Sequence, residues 1–600
     1  MSSIAAVHSS TKPLDESTYK TLSTGRDMAR AFIASVDPEN YLKQTHSFLY
    51  HVVSSFWDTK QKREKKAWEL CITPETIEIV ELPSSAKALA QSMGVATAQM
   101  DILEACFHIG VLYTTLLPEK VRSGFGAYYT PPALCQRLLD MATEAGVDWS
   151  TCKALDPSCG GGAFLSPVAR RMMEKLGKCN PKIALSNITS RLRGFEIDPF
   201  AAWMSQVFLE LTLNTVCRAA NSRLPWMIKI CNSLEQLPED QQFDLVIGNP
   251  PYGRITLSTE LRDRYKRSLF GHANLYGVFK DLALRWTAPG GVIAYVTPTS
   301  FLAGEYFKAL RALLANEAPP FAVDFVNDRK GVFEGVLQET LLSTYRKSKS
   351  VGRASVHFIS VDNNGNAKIA QAGDFQLPKE RSAPWLLPRI PEHALLIKCM
   401  SKMPSRLKDW GYKVSTGPLV WNRYKDQLSQ NKRKNTRPLI WAESIASPGR
   451  FTFRAEKRNH TPYFEICEKD GWLQIDKPCV LLQRTTAKEQ QRRLIAAELP
   501  AEFINKHGSV VVENHLNMIR SLDGLPNVSP AVVSAFLNSE IVDHAFRCIS
   551  GSVAVSAFEL ENLPIPSTKQ MKKIETLLKR RARPETIERN IKNVYLCGAE

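Results

Sequence analysis

The feature that most restricts the fold of this chain is an alternation of short apolar runs with segments of helical spacing between residues 121 and about 345. The apolar runs lie at 154–155, 192–197, 245–247 and 292–296. Parallel strands are buried on both faces, so they read as continuous apolar stretches, and helical crossovers connect them. This part of the chain is therefore predicted to be an α/β domain with a mostly parallel sheet.

The regions on either side of this domain differ from it. Residues 1–120 contain long stretches of helical spacing with few turn signals, which predict a helical N-terminal extension. Residues 374–396 hold four prolines and are predicted to be a linker. A chain of 600 residues has room for two to four domains of about 100–200 residues each. We therefore expect the α/β domain to occupy 121–385, and a second domain to occupy 386–600 and end in a charged helical tail.

The charge of the chain indicates its partner. The net charge of +17 favours a polyanion, of which nucleic acid is the commonest in a cytoplasm. Residues 401–460 carry 14 lysines and arginines against 4 acidic residues. The same stretch contains Trp410, Tyr412, Trp421, Tyr424 and Trp441. Positive charge mixed with aromatic rings favours a surface that follows phosphates.

Cysteine usage and hydropathy indicate the compartment. Thirteen cysteines are scattered without a CxxC pair, a pattern typical of reduced thiols that argues against a structural zinc site. No apolar run reaches about 18 residues, and the first residues lack a signal-peptide pattern. We therefore expect a cytoplasmic protein without a membrane span.

The stretch 154–165, "ALDPSCGGGAFL", predicts a ligand site at a strand end. A strand ends at Asp156, three glycines make a tight turn that a ligand can approach closely, and a helix follows. A carboxylate here would repel a diphosphate and attract the ammonium of an amino-acid-like ligand. The acid together with the glycines therefore favours a cofactor with a positively charged end.

Two further stretches extend this prediction. In "LRGFEIDP" a strand ends at Glu196, where nucleotide-binding α/β folds place an acid that holds ribose hydroxyls. The spacing of 34 residues from Gly162 exceeds the roughly 20 of the dinucleotide pattern. In "GAYYTPPALCQRLL" Thr130 is predicted to be an N-cap and Pro131 the first residue of a helix.

The stretch "FDLVIGNPPYGR" at 243–254 ends a buried strand in an unusual loop. Two prolines fix φ twice and supply no N–H, so this backbone neither continues a sheet nor starts an ordinary helix. A rigid turn explains the prolines and glycines but not Asn249 and Tyr252. We interpret the loop as a preset one that directs carbonyl oxygens and a ring at a substrate.

The order "GAYYTPP", "DPSCGGGAFL", "FEIDP", "GNPPYG" and "GGVIAYVTPTSFL" resembles that of the gamma-class adenine-N6 DNA methyltransferases of bacterial restriction–modification systems, the TaqI type. The resemblance implies a seven-stranded, Rossmann-like α/β domain that binds S-adenosylmethionine, followed by a target-recognition domain. It makes 121–385 the catalytic domain and 386–600 the DNA-recognition domain. The implied partner is double-stranded DNA, and a cognate restriction endonuclease would accompany the enzyme.

The resemblance also implies site residues. For the cofactor they are Tyr128, Thr130, Asp156, Ser158, Cys159, Gly160, Glu196, Ile197 and Asn232, the last an amide where relatives commonly carry an Asp that accepts a bond from the cofactor's adenine. The active-site loop is Asn249, Pro250, Pro251 and Tyr252, and the rings that stack on the target base are Tyr252 and Phe333. No metal is implied.

The loop chemistry leaves alternatives open. Cytosine N4 presents the same kind of exocyclic amine, and enzymes that methylate an RNA base amine or a glutamine amide of release factors carry the same loop. Those enzymes are usually much shorter and lack a large basic region after the catalytic domain, so the C-terminal residues favour DNA. A DNA-binding subunit with a decayed catalytic domain is disfavoured by the intact motifs. A fused nuclease has only "TIEIVELPSSAK" as a weak candidate motif.

Overall fold

The structure is a computed structural model that divides into two compact units. It describes residues 5–6, 16–62, 64, 67–119, 121–122, 129–238, 242–326, 339–348, 353–361, 367–446, 449–485, 492–522, 526–550 and 554–597. The first unit comprises Met1–Thr299 and Ala312–Gln376, and the second comprises Ser300–Arg311 and Leu377–Glu600. The predicted helical extension thus lies in the same unit as the α/β domain, and Ser300–Arg311, which the sequence placed in the catalytic domain, belongs to the second unit.

Helices and strands alternate over most of the first unit. The described helices and strands of both units are numbered together in chain order. The helices are α1 (Glu16–Ala34), α2 (Tyr41–Gln61), α3 (Ser84–Thr97), α4 (Ile102–Leu116), α5 (Pro132–Glu144), α6 (Leu165–Leu176), α7 (Pro181–Arg191), α8 (Pro199–Thr212), α9 (Asn214–Ala220), α10 (Thr259–Arg264), α11 (Leu275–Trp286), α12 (Lys308–Glu317), α13 (His393–Met400), α14 (Ala501–His507), α15 (Pro530–Leu537), α16 (Glu540–Ile549), α17 (Ala557–Glu561), α18 (Thr568–Lys579) and α19 (Pro584–Cys597). The strands are β1 (Ala5–Ala6), β2 (Ala154–Asp156), β3 (Leu192–Glu196), β4 (Ile228–Ile230), β5 (Phe243–Gly248), β6 (Arg254–Ile255), β7 (Ala273–Asn274), β8 (Thr287–Pro298), β9 (Pro320–Val326), β10 (Thr340–Arg346), β11 (Arg353–Val361), β12 (Ala367–Gln376), β13 (Tyr412–Thr416), β14 (Leu428–Ser429), β15 (Thr436–Ile440), β16 (Ile445–Ala446), β17 (Arg450–Phe451), β18 (Tyr463–Glu465), β19 (Gln474–Ile475), β20 (Cys479–Gln483), β21 (Ala496–Leu499), β22 (Val510–Val512) and β23 (Leu516–Ser521).

A ten-stranded sheet forms the centre of the first unit, in the order β1-β12-β11-β9-β10-β8-β5-β2-β3-β4. The pairs from β4 to β8 are parallel, and β10 is antiparallel to both of its neighbours. The seven strands from β4 to β9 therefore form the S-adenosylmethionine-dependent methyltransferase fold predicted from the sequence. The hairpin of β11 and β12 extends this sheet and was not predicted.

The order of the strands fixes where a ligand binds. Strands β3 and β4 lie to one side of β2, and β5 and β8 lie to the other. In open α/β sheets, the crevice at the carboxyl ends of the strands where the order reverses is the binding site. The residues that follow β2, β3 and β5 are therefore expected to meet at this crevice.

The N-terminal helices form a bundle whose hydrophobic core includes one face of α8, a helix of the sheet domain. Helix α8 connects them: all residues of 200–210 are buried, as expected for a helix covered on both faces. Ala202 and Leu209 pack in the core of the sheet, whereas Phe200 and Trp203 pack with the core of α2, α3 and α4. The predicted helical extension is confirmed, and it encloses α8.

The second unit contains a four-stranded sheet, β13-β23-β20-β21, a five-stranded sheet, β14-β18-β15-β22-β19, and helices that include the predicted charged tail. The linker prediction for 374–396 is wrong, because Trp385 and Leu387 are buried in this unit. The Arg311 guanidinium donates hydrogen bonds to the carbonyls of Ser382 and Ala383.

The aromatic residues of 401–460 lie in hydrophobic cores or pack against them. Trp410, Tyr412 and Trp441 are almost fully buried, whereas Trp421 and Tyr424, like Phe451 and Phe453, are half-buried. The prediction that the tryptophan and tyrosine rings lie on the surface with the basic side chains is therefore wrong for three of the five. Among the described residues, no helix has both the length and the apolar character needed to cross a membrane.

Candidate active site

The turn after β2 buries a carboxylate at the centre of the sheet edge. Asp156 is about 1% exposed, and its Oδ1 accepts a hydrogen bond from the backbone N–H of Ser158 at 3.0 Å. Asp156 Oδ2 and Ser158 Oγ are buried without a hydrogen-bond partner among the described residues. Burial raises the pKa of Asp156 well above its usual range. An unpaired buried carboxylate oxygen is costly, so this position favours a ligand that donates to it.

The neighbouring strand is shaped to accommodate this carboxylate. A Cβ atom on Gly248, the last residue of β5, would lie 2.6 Å from Asp156 Oδ1. Gly248 is therefore required where β5 passes the acid.

Glu196 at the end of β3 is held by three backbone groups. Its Oε2 accepts from the N–H of Gly160 at 2.7 Å, and its Oε1 accepts from the N–H groups of Ile197 and Asp198 at 2.9 and 3.0 Å. Burial raises the pKa of Glu196 to about 7. Gly160 has φ of +51°, and a Cβ there would meet no atom within 4 Å, so the turn is open on its ligand side. The loop after β2 and the loop after β3 are thus linked through the Glu196 carboxylate.

Asn232, after β4, is partly used by its own turn. Its Oδ1 accepts from the N–H of Leu234 at 3.2 Å, and its Nδ2 donates to Glu235 Oε1 at 2.8 Å. A carbonyl oxygen has two acceptor positions, so Oδ1 retains the capacity to accept one more bond. Ile197, on the adjacent loop, is 51% exposed and offers an apolar face.

The loop after β5 contains a hydrogen-bonded chain. Asn249 Nδ2 donates to Thr130 Oγ1 at 3.1 Å, and the Tyr252 hydroxyl donates to Asn249 Oδ1 at 2.7 Å. The Tyr252 ring meets the edge of Tyr276, with ring centroids 6.1 Å apart. Both sides of the Asn249 amide are therefore engaged, and its orientation is set by its neighbours.

The prediction that Thr130 caps a helix is wrong by one residue. Helix α5 begins at Pro132 with Pro131 at the N-cap, and the Thr130 side chain makes no cap. Instead Thr130 Oγ1 accepts from Asn249, because the chain enters α5 beside the end of β5.

A cavity of about 410 Å³ collects most of the predicted residues. Those that line it are Thr130, Asp156, Ser158, Cys159, Gly160, Glu196, Ile197, Asn232, Asn249 and Pro251. Pro250 and Tyr252 belong to the same loop but are not among the lining residues. The predicted residues Tyr128 and Phe333 lie outside the described part of the chain.

The lining residues that were missed from the sequence include three with ionisable side chains, Tyr113, Tyr129 and Asp198. Asp198 follows Glu196 closely and precedes Pro199, an N-cap signature that could have located it. No sequence signal identifies Tyr113, because it comes from α4 of the N-terminal bundle, far away along the chain.

Cys159 is buried, and burial raises the pKa of its thiol well above the usual range. Its N–H donates to the Phe195 carbonyl at 3.0 Å, so this residue ties the turn to β3 through its backbone. Within the described ranges, no three His, Cys, Asp or Glu side chains are grouped in a way that could hold a metal ion.

Comparison with known proteins agrees with this geometry. Residues 149–333 match the family model described as Eco57I restriction-modification methylase. The chain is 25% identical over 464 residues to the Type II methyltransferase M.BsuBI of Bacillus subtilis, which covers 75% of this chain and 89% of the relative. It is 28% identical over 379 residues to the Type II methyltransferase M.PstI of Providencia stuartii, covering 60% and 73%.

A solved structure supports the fold. The Type IIL restriction-modification enzyme MmeI, in complex with DNA, matches with a TM-score of 0.53 at 14% identity, over 98% of this chain and 97% of that chain. Residues 149–333 are thus similar to Eco57I-type restriction-modification methylases, within a chain similar to Type II methyltransferases over most of its length, and this similarity implies S-adenosylmethionine as the methyl donor.

Proposed function

We propose that this protein is a site-specific DNA methyltransferase that transfers a methyl group from S-adenosylmethionine to N6 of a flipped-out adenine in double-stranded DNA. We further propose that it is the modification enzyme of a restriction–modification system with a cognate endonuclease. The observation that carries the proposal is one cavity lined both by the acids of the β2 and β3 ends and by Asn249.

The residues around the cavity fit the proposed donor. Asp156 Oδ2, buried and without a partner among the described residues, is suited to an ammonium group. Glu196 keeps one acceptor position beyond its three backbone bonds and is suited to a ribose hydroxyl. Ile197 and Asn232 would contact the adenine ring and its amino group. When bound, S-adenosylmethionine supplies an electrophilic methyl group on a positively charged sulfur.

The chain's own task is to make a poor nucleophile react. The lone pair of an exocyclic amine is delocalised into the base, so the amine must be polarised in place. Asn249 Oδ1 and the Pro250 carbonyl would each accept one N–H of the amine. Those bonds favour tetrahedral geometry at nitrogen and direct its lone pair. This is catalysis by positioning and by preorganised dipoles.

The preset loop supports that role. Proline at 250 and 251 fixes the backbone, and the bond from Asn249 Nδ2 to Thr130 places the amide oxygen on the opposite side. The target atom cannot be reached within a duplex, so the base must be flipped out, and we assign Tyr252 and Phe333 to stacking on it.

Single-molecule sequencing of DNA tests the proposal directly. Duplex DNA of random sequence is incubated with purified protein and S-adenosylmethionine, and we expect N6-methyladenine at one position of one motif. N4-methylcytosine at a motif would instead identify the cytosine enzyme. Absence of any DNA methylation, with methyl groups incorporated into RNA or a release-factor peptide, would overturn the proposal.

A further inference from the structure

We propose that the N-terminal helical bundle is a functional part of the cofactor site, and that Tyr113 of α4 is a positioning residue for Glu196. This inference rests on the proposed function, because it assumes that the cavity binds S-adenosylmethionine. It concerns a region for which the sequence gives no role.

The first observation is a continuous chain of hydrogen bonds from the bundle to the cofactor loops. The Tyr113 hydroxyl donates to Asp198 Oδ2 at 2.5 Å, and the Asp198 N–H donates to Glu196 Oε1 at 3.0 Å. Glu196 Oε2 in turn accepts from the N–H of Gly160. Tyr113 and Asp198 both line the cavity, so the chain runs along its wall.

The second observation is the environment of this pair. Asp198 and Tyr113 are almost fully buried, and burial raises the pKa of each. Asp198 Oδ1 also accepts from the N–H of Phe200 and so caps α8. The His46 ring of α2 stacks on Phe200 with centroids 4.5 Å apart, and its Nε2 lies 3.4 Å from the Tyr113 hydroxyl. The start of α8 is thus fixed by two helices of the bundle.

The third observation is a link from the bundle to the glycine turn through Tyr129. The half-buried Tyr129 ring lies in a notch between Gly110 of α4 and Gly161: a Cβ on Gly110 would lie 1.9 Å from the ring, and one on Gly161 would lie 2.1 Å from its hydroxyl. The bundle is therefore connected to the loop after β2 through Tyr129, and it contacts the loop after β3 directly through Tyr113. Removing the Tyr113 hydroxyl takes one hydrogen bond from the buried Asp198 carboxylate, and we expect this loss to loosen the turn that carries Glu196.

The test compares two tyrosine-to-phenylalanine variants by calorimetry with S-adenosylmethionine. In Tyr113→Phe we expect roughly fivefold to tenfold weaker binding, because one charge-assisted bond that orders the loop is lost. The control is Tyr412→Phe, a buried tyrosine of the second unit whose hydroxyl donates to the Val528 carbonyl at 2.6 Å. It loses a buried hydroxyl bond to a backbone carbonyl, far from the cavity in sequence, and is expected to bind S-adenosylmethionine as the wild type does.

Steady-state methylation separates positioning from general damage. We expect Tyr113→Phe to raise KM for S-adenosylmethionine while KM for DNA and the melting temperature stay near those of the control. Unchanged cofactor affinity in a folded Tyr113→Phe variant overturns the inference. If the wild type itself binds no S-adenosylmethionine, the proposed function fails instead.

If Tyr113→Phe does not fold, amide hydrogen exchange of the wild type tests whether the bundle takes part in cofactor binding. Adding S-adenosylhomocysteine should slow amide exchange in α4 as well as in the loops after β2 and β3. Slower exchange in the loops alone, with α4 unchanged, would contradict a role for the bundle in cofactor binding.

Discussion

At the scale of single residues, Asn249 and Tyr252 are expected to have separable roles. Asn249→Ala should nearly abolish methylation while cofactor and DNA still bind, because the acceptor for the reacting amine is lost. Asn249→Asp keeps an acceptor and should retain partial activity. These outcomes are measured by single-turnover methylation beside equilibrium binding. Weakened cofactor or DNA binding that accounted for the whole loss in Asn249→Ala would refute a catalytic role.

Tyr252 requires a finer comparison, since its hydroxyl donates to Asn249 Oδ1. Loss of one such bond is worth about 0.5–1.5 kcal/mol, so Tyr252→Phe should lose no more than roughly tenfold in rate. Tyr252→Ala should lose more, since stacking is worth about 1–3 kcal/mol per base. A fluorescent adenine analogue at the target position reports flipping separately from chemistry. If Tyr252→Phe proves as inactive as Asn249→Ala, the stacking account is wrong.

Thr130 offers a matched pair of substitutions. Thr130→Val keeps the shape of the side chain and removes the acceptor for Asn249 Nδ2, so the amide loses its fixed orientation. We expect kcat to fall about tenfold with little change in stability, and Thr130→Ser, which keeps the oxygen, to remain close to wild type. Equal kcat values for the valine and serine variants would show that the bond has no part in the reaction.

The acids of the cavity predict a pH dependence of binding. The pKa of Glu196 is raised by burial to about 7 in the folded protein, from an ordinary 4.5. The protonated Glu196 side chain therefore contributes to the stability of the folded protein, fully so below pH 4.5. This contribution is lost as the pH rises through 7, because the folded state must then hold a buried carboxylate. The ribose hydroxyls of S-adenosylmethionine would donate to the Glu196 carboxylate and offset that cost, so cofactor binding favours the ionised form of Glu196.

Affinity for S-adenosylmethionine should therefore increase from pH 6 to pH 8, with proton release on binding. Asp156 contributes with the same sign, because its pKa is also raised by burial. Calorimetry in buffers of different ionisation enthalpy measures the released protons. Glu196→Gln should flatten part of the pH profile, and an unaltered profile in that variant would assign the effect to other groups.

At the scale of elements, sequence patterns predicted those parts of the site that are local. The strands β2, β3 and β5 and the loops that follow them were recognisable because an apolar run and its terminal acid or amide are adjacent in sequence. Tyr113 was not recognisable, since its role depends on how α4 packs against α8. Trp410 and Trp441 were wrongly predicted to lie on the surface for a similar reason. Composition shows that aromatic and basic residues occur in the same stretch, but it does not show which of them face solvent.

The fit of α4 to the glycine turn yields a stability prediction. Gly110→Ala places a methyl group 1.9 Å from the Tyr129 ring, so either the ring or helix α4 must shift. We expect a loss of about 1–3 kcal/mol in the free energy of unfolding, measured in urea. Gly471→Ala is the control, because a Cβ there meets no atom within 4 Å. Equal stability of the two variants would show that the notch is not tightly packed.

At the scale of the whole molecule, the two units would have different tasks in the proposed reaction. In the proposed reaction, the cofactor and the reacting amine would both bind in the first unit, where every lining residue of the cavity lies. The excess of positive charge in 401–460 lies in the second unit. Because its aromatic residues are buried or packed half-buried against hydrophobic cores, that stretch presents mainly charge to solvent, which favours contacts to phosphates over stacking.

A cluster of three adjacent basic residues allows this to be tested without truncating the chain. Lys432, Arg433 and Lys434 are exposed, and Arg433 faces Glu465 at 3.9 Å. Replacing all three with glutamine should weaken binding to DNA of any sequence and reduce the slope of log K against log salt by up to about 2.7, at about 0.9 per phosphate contact. Cofactor affinity should not change.

The control removes the same charge from the tail helix α18 by replacing Lys569, Lys572 and Lys573 with glutamine. Filter binding at several salt concentrations gives both slopes. A larger change in slope for the 432–434 variant identifies a phosphate-contacting surface in the second unit. Identical slopes for the two variants would mean that only net charge matters, and the assignment of DNA recognition to this stretch would then lose its support.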